Sequence, residues 1–210
     1  MHRILQSLAK ENIVSLMPKK GYGLTPRLIS IGLKGIAEQN IVEAAIPAMR
    51  WLSLETHETI SLHVISGYGR VCLYRLDGDY PIPRRIKVGD KDILFRGAPG
   101  KIFAATFAES ELKKIADQYI RDGIIKADEK VALFEEIREI KAQGYATSRG
   151  ERIPNSGSIG VPVKDFTGNI QTALVISTII ERMTEENLEY YLQLLFKAAE
   201  QIHINICHGK

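Results

Sequence analysis

Long apolar runs are absent from this sequence. No stretch of its 210 residues approaches the roughly 20 uncharged apolar residues that a membrane-spanning helix needs, so we expect no membrane association. The N-terminus carries His2, Arg3 and Lys10 but no apolar segment followed by a cleavage site, which argues against a signal peptide. We therefore expect a cytoplasmic protein.

Cysteines and metal-binding patterns are also scarce. Cys72 and Cys207 each lie in an apolar segment, which favours buried free thiols over a disulfide framework. The five histidines lack a trustworthy metal-ligand spacing, and His63 alternates with apolar neighbours as a strand residue does. The G-x-x-x-x-G-K-[ST] phosphate-binding pattern and a nucleophile–base pair are both missing. We expect no catalytic residue, no metal and no cofactor, and therefore no enzyme.

Basic charge is present, but it is concentrated at the N-terminus. Residues 1–34 hold six basic residues and one acidic residue, whereas the rest of the chain holds 22 basic and 24 acidic residues. Such a concentration indicates contact with a polyanion, usually DNA, although a solvated basic tail is the alternative. Ile4, Leu5 and Leu8 have helical spacing and a Gly-rich turn follows them, which favours a DNA-binding element over a tail.

Residues 1–24 predict the second half of a winged helix-turn-helix. A short helix, a strand through Ile13 and Val14, the turn "PKKGYG" and a returning strand follow one another. In this motif the helix enters the major groove and the hairpin contacts phosphate. The candidate DNA-binding residues are His2, Arg3, Gln6, Lys10, Lys19 and Lys20. The helices that would support the recognition helix are not in this sequence, so we expect a partial motif and weak DNA binding by this chain alone.

The pattern after residue 24 predicts a linker helix over 25–40 and a second domain over 41–210. Pro26 suits the first turn of a helix, and three- and four-residue apolar spacing continues past Trp51. From residue 59 the period changes to two, which predicts strands, followed by three helices, further strands and a closing helix in an α+β fold. The apolar surface around Trp51 exceeds what a monomer tolerates, so we expect a homodimer or homotetramer.

The stretch "FRGAPGKIFAATF" is the most specific in the chain. Gly97, Ala98 and Gly100 allow a ligand to approach the backbone closely at the start of an apolar helix. The unpaired N–H groups of a helix N-terminus suit an anion such as a carboxylate, whereas a simple tight turn is the alternative.

Taken in order, several stretches resemble the IclR-type bacterial transcription regulators. They are "HRILQSLAKENIV" with "GYGLTPRLISIG", "APGKIFAA", "EIREIKAQGYATSRGE", "GSIGVPVKDFTGNIQTALVIS" and "MTEENLEYYLQLLFKAAEQI". The resemblance implies an N-terminal winged helix-turn-helix, a linker helix and a C-terminal GAF-like effector domain. That domain would be a curved antiparallel sheet flanked by helices that binds a small metabolite. Members of the family act as dimers or tetramers on operator DNA.

The resemblance also implies an effector pocket, and its residues carry over by position. They are Arg84, Gly97, Ala98, Pro99, Ser148, Ser156, Ser158, Val175 and Ser177. Ser148 stands where some members have aspartate, and Ser158 where many have cysteine, so the ligand of other members does not carry over. A hydroxyl-lined pocket with one arginine suits a small carboxylate or hydroxy acid, unless Arg84 points to solvent.

Three hypotheses about function remain open. The first is a ligand-responsive DNA-binding regulator, and the second is an effector-binding module without DNA binding. An enzyme on the same scaffold is the third, and no constellation of residues supports it.

Overall fold

The chain forms two compact units, Met1–Ile41 and Val42–Lys210. The computed structural model describes residues 2–17, 21–28, 31, 41–80 and 87–208. Lys19 and Lys20 of the predicted hairpin, Arg84 and most of the predicted linker lie outside the described residues.

The first unit contains the helix and the two strands that its sequence predicts. Helix α1 (His2–Lys10) leads to β1 (Val14–Met17) and β2 (Gly21–Leu24). The two strands are antiparallel, with Val14 opposite Leu24. Residues 26–28 and 31 are helical.

The second unit is built on a curled antiparallel sheet. From Ile41 onward the elements are α2 (Ile41–Thr56), β3 (Thr59–Ser66), β4 (Gly69–Leu76), β5 (Lys91–Ile93), α3 (Gly97–Ala104), α4 (Glu109–Arg121), α5 (Lys130–Gln143), β6 (Ala146–Arg149), β7 (Ser156–Lys164), β8 (Ile170–Ile179) and α6 (Glu185–His208). Six strands pair in the order β5-β4-β3-β8-β7-β6, and every pair is antiparallel. The predicted fold, a curved antiparallel sheet flanked by helices, is confirmed.

Helix α3 lies close against one face of the sheet because two glycines leave room for it. A Cβ atom at Gly160 of β7 would stand 3.0 Å from the Cδ1 atom of Ile102 in α3. A Cβ atom at Gly100 would stand 2.6 Å from the carbonyl oxygen of Ile93. A side chain at position 100 would push the helix away from the strand backbone, and one at position 160 would require the Ile102 side chain to shift.

The apolar core on this face joins α3, α4 and α5 to the sheet. Its largest fully buried members include Leu94, Phe103 and Ile115, and Ile137 and Ile140 of α5 face it as their spacing predicts. Burial of this apolar surface is the main favourable term that holds the three helices on the strands.

A buried carboxylate organises the other face of the sheet. Glu58, just before β3, is fully buried and accepts hydrogen bonds from Arg182 Nε at 2.6 Å and Arg182 Nη2 at 3.0 Å. The hydroxyl groups of Thr178 and Tyr191 donate to the same carboxylate at 2.6 and 3.4 Å. Burial, followed by the charge of Glu58, raises the pKa of Tyr191 to about 12, so its hydroxyl keeps its proton at neutral pH. The cluster therefore joins the start of β3 to the turn between β8 and α6.

Helix α6 begins at a capping threonine and ends near a cysteine. The Thr184 hydroxyl accepts a hydrogen bond from the backbone N–H of Asn187 at 3.2 Å and so caps the helix. Cys207, in the last turn, is exposed, so the prediction that both thiols are buried was wrong for this residue and holds for Cys72. In the described ranges, no helix combines the length and the apolar composition of a membrane-spanning segment.

Candidate functional site: a hydroxyl-lined cavity beneath α3

A cavity of about 50 Å³ lies between the start of α3 and the sheet. It is larger than a single water molecule needs. Strands β3, β4, β6, β7 and β8 contribute to its wall, together with the segment between β6 and β7. The lining residues are Thr59, Ser61, His63, Arg70, Arg75, Gly97, Pro99, Ser148, Arg152, Ile153, Ser156, Gly157, Ser158, Val175 and Ser177.

Four of these hydroxyl groups form one row across four neighbouring strands. Thr59 lies opposite Ser177, Ser177 opposite Ser158, and Ser158 opposite Ser148. Residues directly opposite each other in paired strands share one face of the sheet, and neighbouring strands are about 4.8 Å apart. The row, called the hydroxyl row below, therefore crosses the floor of the cavity from β3 to β6.

Most of the predicted effector-binding residues come together here. Gly97, Pro99, Ser148, Ser156, Ser158, Val175 and Ser177 line the cavity. Ala98 is fully buried and contacts the site through its backbone, whereas Arg84 lies outside the described residues. Their assignment to effector binding stays a prediction.

The backbone N–H groups at the start of α3 are not free, and here the sequence-based prediction was wrong. The N–H of Gly97 donates to Glu151 Oε2 at 2.8 Å, and that of Ala98 donates to Ser158 Oγ at 3.2 Å. Pro99 has no N–H to offer. The carboxylate of Glu151, a residue far along the chain, already occupies the position that we expected a ligand carboxylate to take.

Glu151 is held in place by a buried cation. The Lys101 ammonium donates to Glu151 Oε1 and to Glu136 Oε1, each at 2.6 Å, and its side chain is almost fully buried. Glu136 of α5 is half-buried and paired with this lysine. This network ties the segment between β6 and β7 to α3 and α5.

The cations of the cavity come from residues that the sequence analysis missed. Arg70 is 2% exposed; its Nη1 donates to His63 Nδ1 at 3.1 Å and its Nη2 donates to Asp92 Oδ2 at 3.2 Å. Arg152 Nε lies 3.0 Å from the same oxygen of Asp92. Two guanidinium groups thus converge on one carboxylate at the edge of the cavity.

His63 is neutral in this arrangement. Burial, and then the charges of Arg70 and Arg152, lower the pKa of His63 well below its usual value. Since a guanidinium only donates, Nδ1 must accept, and Nε2 carries the proton that it donates to Ser61 Oγ at 3.0 Å. Burial lowers the pKa of Arg70 to about 10, while Asp92 opposes the shift, so Arg70 stays charged at neutral pH.

One sequence signal could have revealed part of this wall. Thr59, Ser61 and His63 alternate along a predicted strand, which places their side chains on one face. Polar residues that repeat on one face of a buried strand indicate a polar cavity, because unpaired polar groups are costly in a core. Among the described residues, no group of His, Cys, Asp or Glu is arranged to hold a metal ion.

Comparison with known proteins identifies relatives of the chain. The HTH-type transcriptional regulator KdgR of Escherichia coli is 28% identical over 205 residues, which cover 96% of this chain and 78% of KdgR. The DNA-binding transcriptional repressor YiaJ of the same organism is 29% identical over 212 residues, which cover 96% of this chain and 74% of YiaJ. Both relatives are regulators of transcription.

Solved structures agree with these relatives. The Thermotoga maritima IclR structure superposes with a TM-score of 0.74 at 26% identity, covering 98% of this chain and 84% of that one. A regulator from Silicibacter reaches a TM-score of 0.87 at 20% identity, which supports the fold alone. The family model for the C-terminal region of the bacterial transcriptional regulator IclR matches residues 33–204. The chain therefore belongs to the IclR family of bacterial transcriptional regulators, with the effector-binding C-terminal domain of that family.

Proposed function

We propose that this chain is a ligand-responsive regulator that binds operator DNA through residues 1–24 and a small organic acid in the cavity beneath α3. Residues 25–40 would then link the DNA-binding part to an effector domain over residues 41–210. The proposal that the cavity binds an organic acid rests on one observation, the charge of the cavity wall. Its described lining includes three arginines and no carboxylate.

An anion suits such a cavity for two reasons. Buried positive charge attracts negative charge more strongly than the same charge in water, because the surroundings screen it less. The hydroxyl groups of the wall can orient the uncharged part of the ligand.

A thermal-shift screen of metabolites tests the proposal, since a ligand that binds the folded state alone raises its melting temperature. Organic acids should dominate the hits, and a screen with neutral or cationic hits alone would contradict it.

The proposal of DNA binding rests on the charge and the exposure of side chains in α1. Arg3, Gln6 and Lys10 of α1 are exposed, and Lys10 lies in the last turn of that helix. His2 is the first residue of α1, and its side chain is outside the described set. Phosphate contacts from such residues give binding that weakens steeply as salt is added.

Selection from a random duplex library, followed by mobility shifts over a salt series, tests DNA binding. Arg3→Ala and Lys10→Ala should each weaken binding and reduce the slope against salt by about one unit for each lost phosphate contact. Lys113→Ala, an exposed lysine of α4, is the matched control and should change neither quantity. Because we expect weak binding by this chain alone, the selection is made at low salt, where phosphate contacts are strongest. If it recovers no DNA there while organic acids still bind, the second candidate, an effector-binding module without DNA binding, is correct.

We also propose that the chain assembles as a homodimer or homotetramer. Leu54 of α2 is 75% exposed and Phe196 of α6 is 44% exposed, and such side chains favour burial against a second copy. Light scattering should therefore report a multiple of the 23.5 kDa chain mass. Leu54→Glu should shift the population toward the monomer, whereas Val131→Glu on α5, at an equally exposed apolar site, should not. A monomer at micromolar concentration would contradict this prediction.

A further inference from the structure

We infer that Arg70 and Arg152 together bind a single carboxylate and that the hydroxyl row binds the rest of the ligand. The effector would then be a monocarboxylic acid that carries hydroxyl groups. This inference rests on the proposed binding of an organic acid, and it names the charge of the ligand and the residues that recognise each end of it.

The charge of the site is the first argument. Arg70 Nη2 and Arg152 Nε contact the same oxygen of Asp92, at 3.2 and 3.0 Å. Arg152 lies 3.8 Å from Asp90, beyond hydrogen-bond distance, and both of those side chains are partly exposed. Arg75, the other arginine of the wall, is paired with Asp77. At this edge of the cavity, one largely buried carboxylate between two guanidinium groups leaves roughly one positive charge for a ligand.

The second argument is that both guanidinium groups have an unused buried donor. Arg70 Nε and Arg152 Nη1 are buried and find no hydrogen-bond partner in the described part of the chain. Buried donors of this kind are rare in folded proteins, because the lost hydration is not replaced. A carboxylate suits such donors, because arginine pairs with it through strong, charge-assisted hydrogen bonds.

Among the described lining residues, a second carboxylate finds no equivalent pair of guanidinium groups, because the remaining arginine, Arg75, is paired with Asp77. Glu151 and Ser158 already accept the N–H groups at the start of α3. His63 is neutral, and its one N–H donates to Ser61. We therefore expect a dicarboxylic acid to bind less well than the corresponding monocarboxylic acid.

The hydroxyl row is the third argument. Four strands at about 4.8 Å spacing place its ends roughly 14 Å apart, so it offers partners along a chain of several carbons. Ser158 Oγ accepts a hydrogen bond from the Ala98 N–H, so its own proton points elsewhere. Ser156, beside the row, donates to the carbonyl of Ile153 and keeps its lone pairs for a ligand. An aliphatic chain would leave the proton of Ser158 and the lone pairs of Ser156 unused, whereas ligand hydroxyl groups can both accept and donate.

Matched probes test separately whether the ligand needs a carboxylate, hydroxyl groups and no second carboxylate. We would measure the melting temperature of the full chain with D-gluconate, hexanoate, D-glucitol and D-glucarate, and with glycerate, propionate, glycerol and tartronate, all at millimolar concentration. Within each length, the hydroxylated monoacid should stabilise the protein more than the acid without hydroxyl groups, the polyol without a carboxylate or the diacid. Calorimetry would then give the Kd of the better monoacid.

Substitutions test the two arginines. Arg70→Lys keeps the charge but loses the planar donor pair, and Arg152→Gln changes a partly exposed residue that the fold tolerates more readily. Each should weaken binding of the monoacid about tenfold or more, because a charge-assisted hydrogen bond is lost. Arg138→Gln on α5, whose side chain is 65% exposed, is the control and should leave Kd unchanged. Asp92→Asn removes one negative charge, which raises the net charge of the site by one, and should improve binding of the diacid relative to the monoacid.

Each contrary outcome has its own meaning. Unchanged monoacid binding in both Arg70→Lys and Arg152→Gln would overturn the role of the arginines and leave the proposed effector class intact. A diacid that binds the unmodified chain best would overturn the charge argument, and equal binding of hexanoate and gluconate would overturn the role of the hydroxyl row. No stabilisation by either hydroxylated monoacid overturns the inference as a whole. The broader metabolite screen and the DNA selection then decide the proposed function independently.

Discussion

Glu58→Ala should lower the free energy of unfolding by about 3–5 kcal/mol, because removing one partner of a buried ion pair strands the other. Glu58 is fully buried, and Arg182 is 27% exposed beside it. The substitution removes the acceptor for two guanidinium N–H groups and for the hydroxyl groups of Thr178 and Tyr191. Urea denaturation followed by circular dichroism measures the loss.

A surface ion pair provides the control for this result. Glu109 and Arg138 lie 3.2 Å apart with side chains 71% and 65% exposed, so Glu109→Ala should cost no more than about 1 kcal/mol. Glu58→Gln keeps part of the hydrogen bonding and should fall between the two. If Glu58→Ala and Glu109→Ala destabilise equally, the buried cluster does not hold the β8–α6 turn as described.

Ser158→Leu should abolish the stabilisation of the protein by organic acids. Ser158 lies at the centre of the hydroxyl row, and a leucine side chain would fill most of a cavity of about 50 Å³. The same substitution removes the acceptor of the Ala98 N–H, which should lower stability by about 1–3 kcal/mol. Thermal-shift measurements with and without the acid separate the two effects, since the first appears in the shift and the second in the melting temperature of the free protein.

Two further variants test whether the effect of Ser158→Leu comes from filling the cavity. Ser66→Leu places the same side chain at an exposed serine at the end of β3 and should leave the shifts unchanged. Ser158→Ala leaves the cavity open and should weaken binding without abolishing it. Undiminished shifts in Ser158→Leu would mean that the ligand binds elsewhere on the chain.

The sequence predicted the strands and helices well, because their periodicity is local. The alternation from Thr59 onward and the three- and four-residue spacing in α5 and α6 each depend on neighbours within a few residues. The curvature of the sheet and the positions of the serines came instead from the family resemblance. The hydroxyl row itself depends on the register of four strands, and a shift of one residue in any strand would turn its serine to the other face.

The charged half of the cavity could not be predicted for a different reason. Arginine is usually exposed, and nothing adjacent to Arg70 or Arg152 in the sequence signals burial. Asp92 joins them only when the β4–β5 edge and the segment after β6 meet in space. Glu151, the partner of the Gly97 N–H, likewise lies in a distant segment. The local motif therefore predicted free N–H groups at the start of α3, whereas the folded chain supplies an acceptor for them.

The two halves of the cavity wall differ in how readily they can evolve. In the hydroxyl row, exchange of serine for alanine, threonine or cysteine changes one small group on a strand whose backbone is fixed by its neighbours. Arg70 is linked to His63 and Asp92, so replacing it leaves His63 Nδ1 without its donor and removes one of the two guanidinium groups that hold Asp92. If the proposed effector is an organic acid, single substitutions in the row would change the preference among acids, whereas the charged pair would keep the preference for an acid.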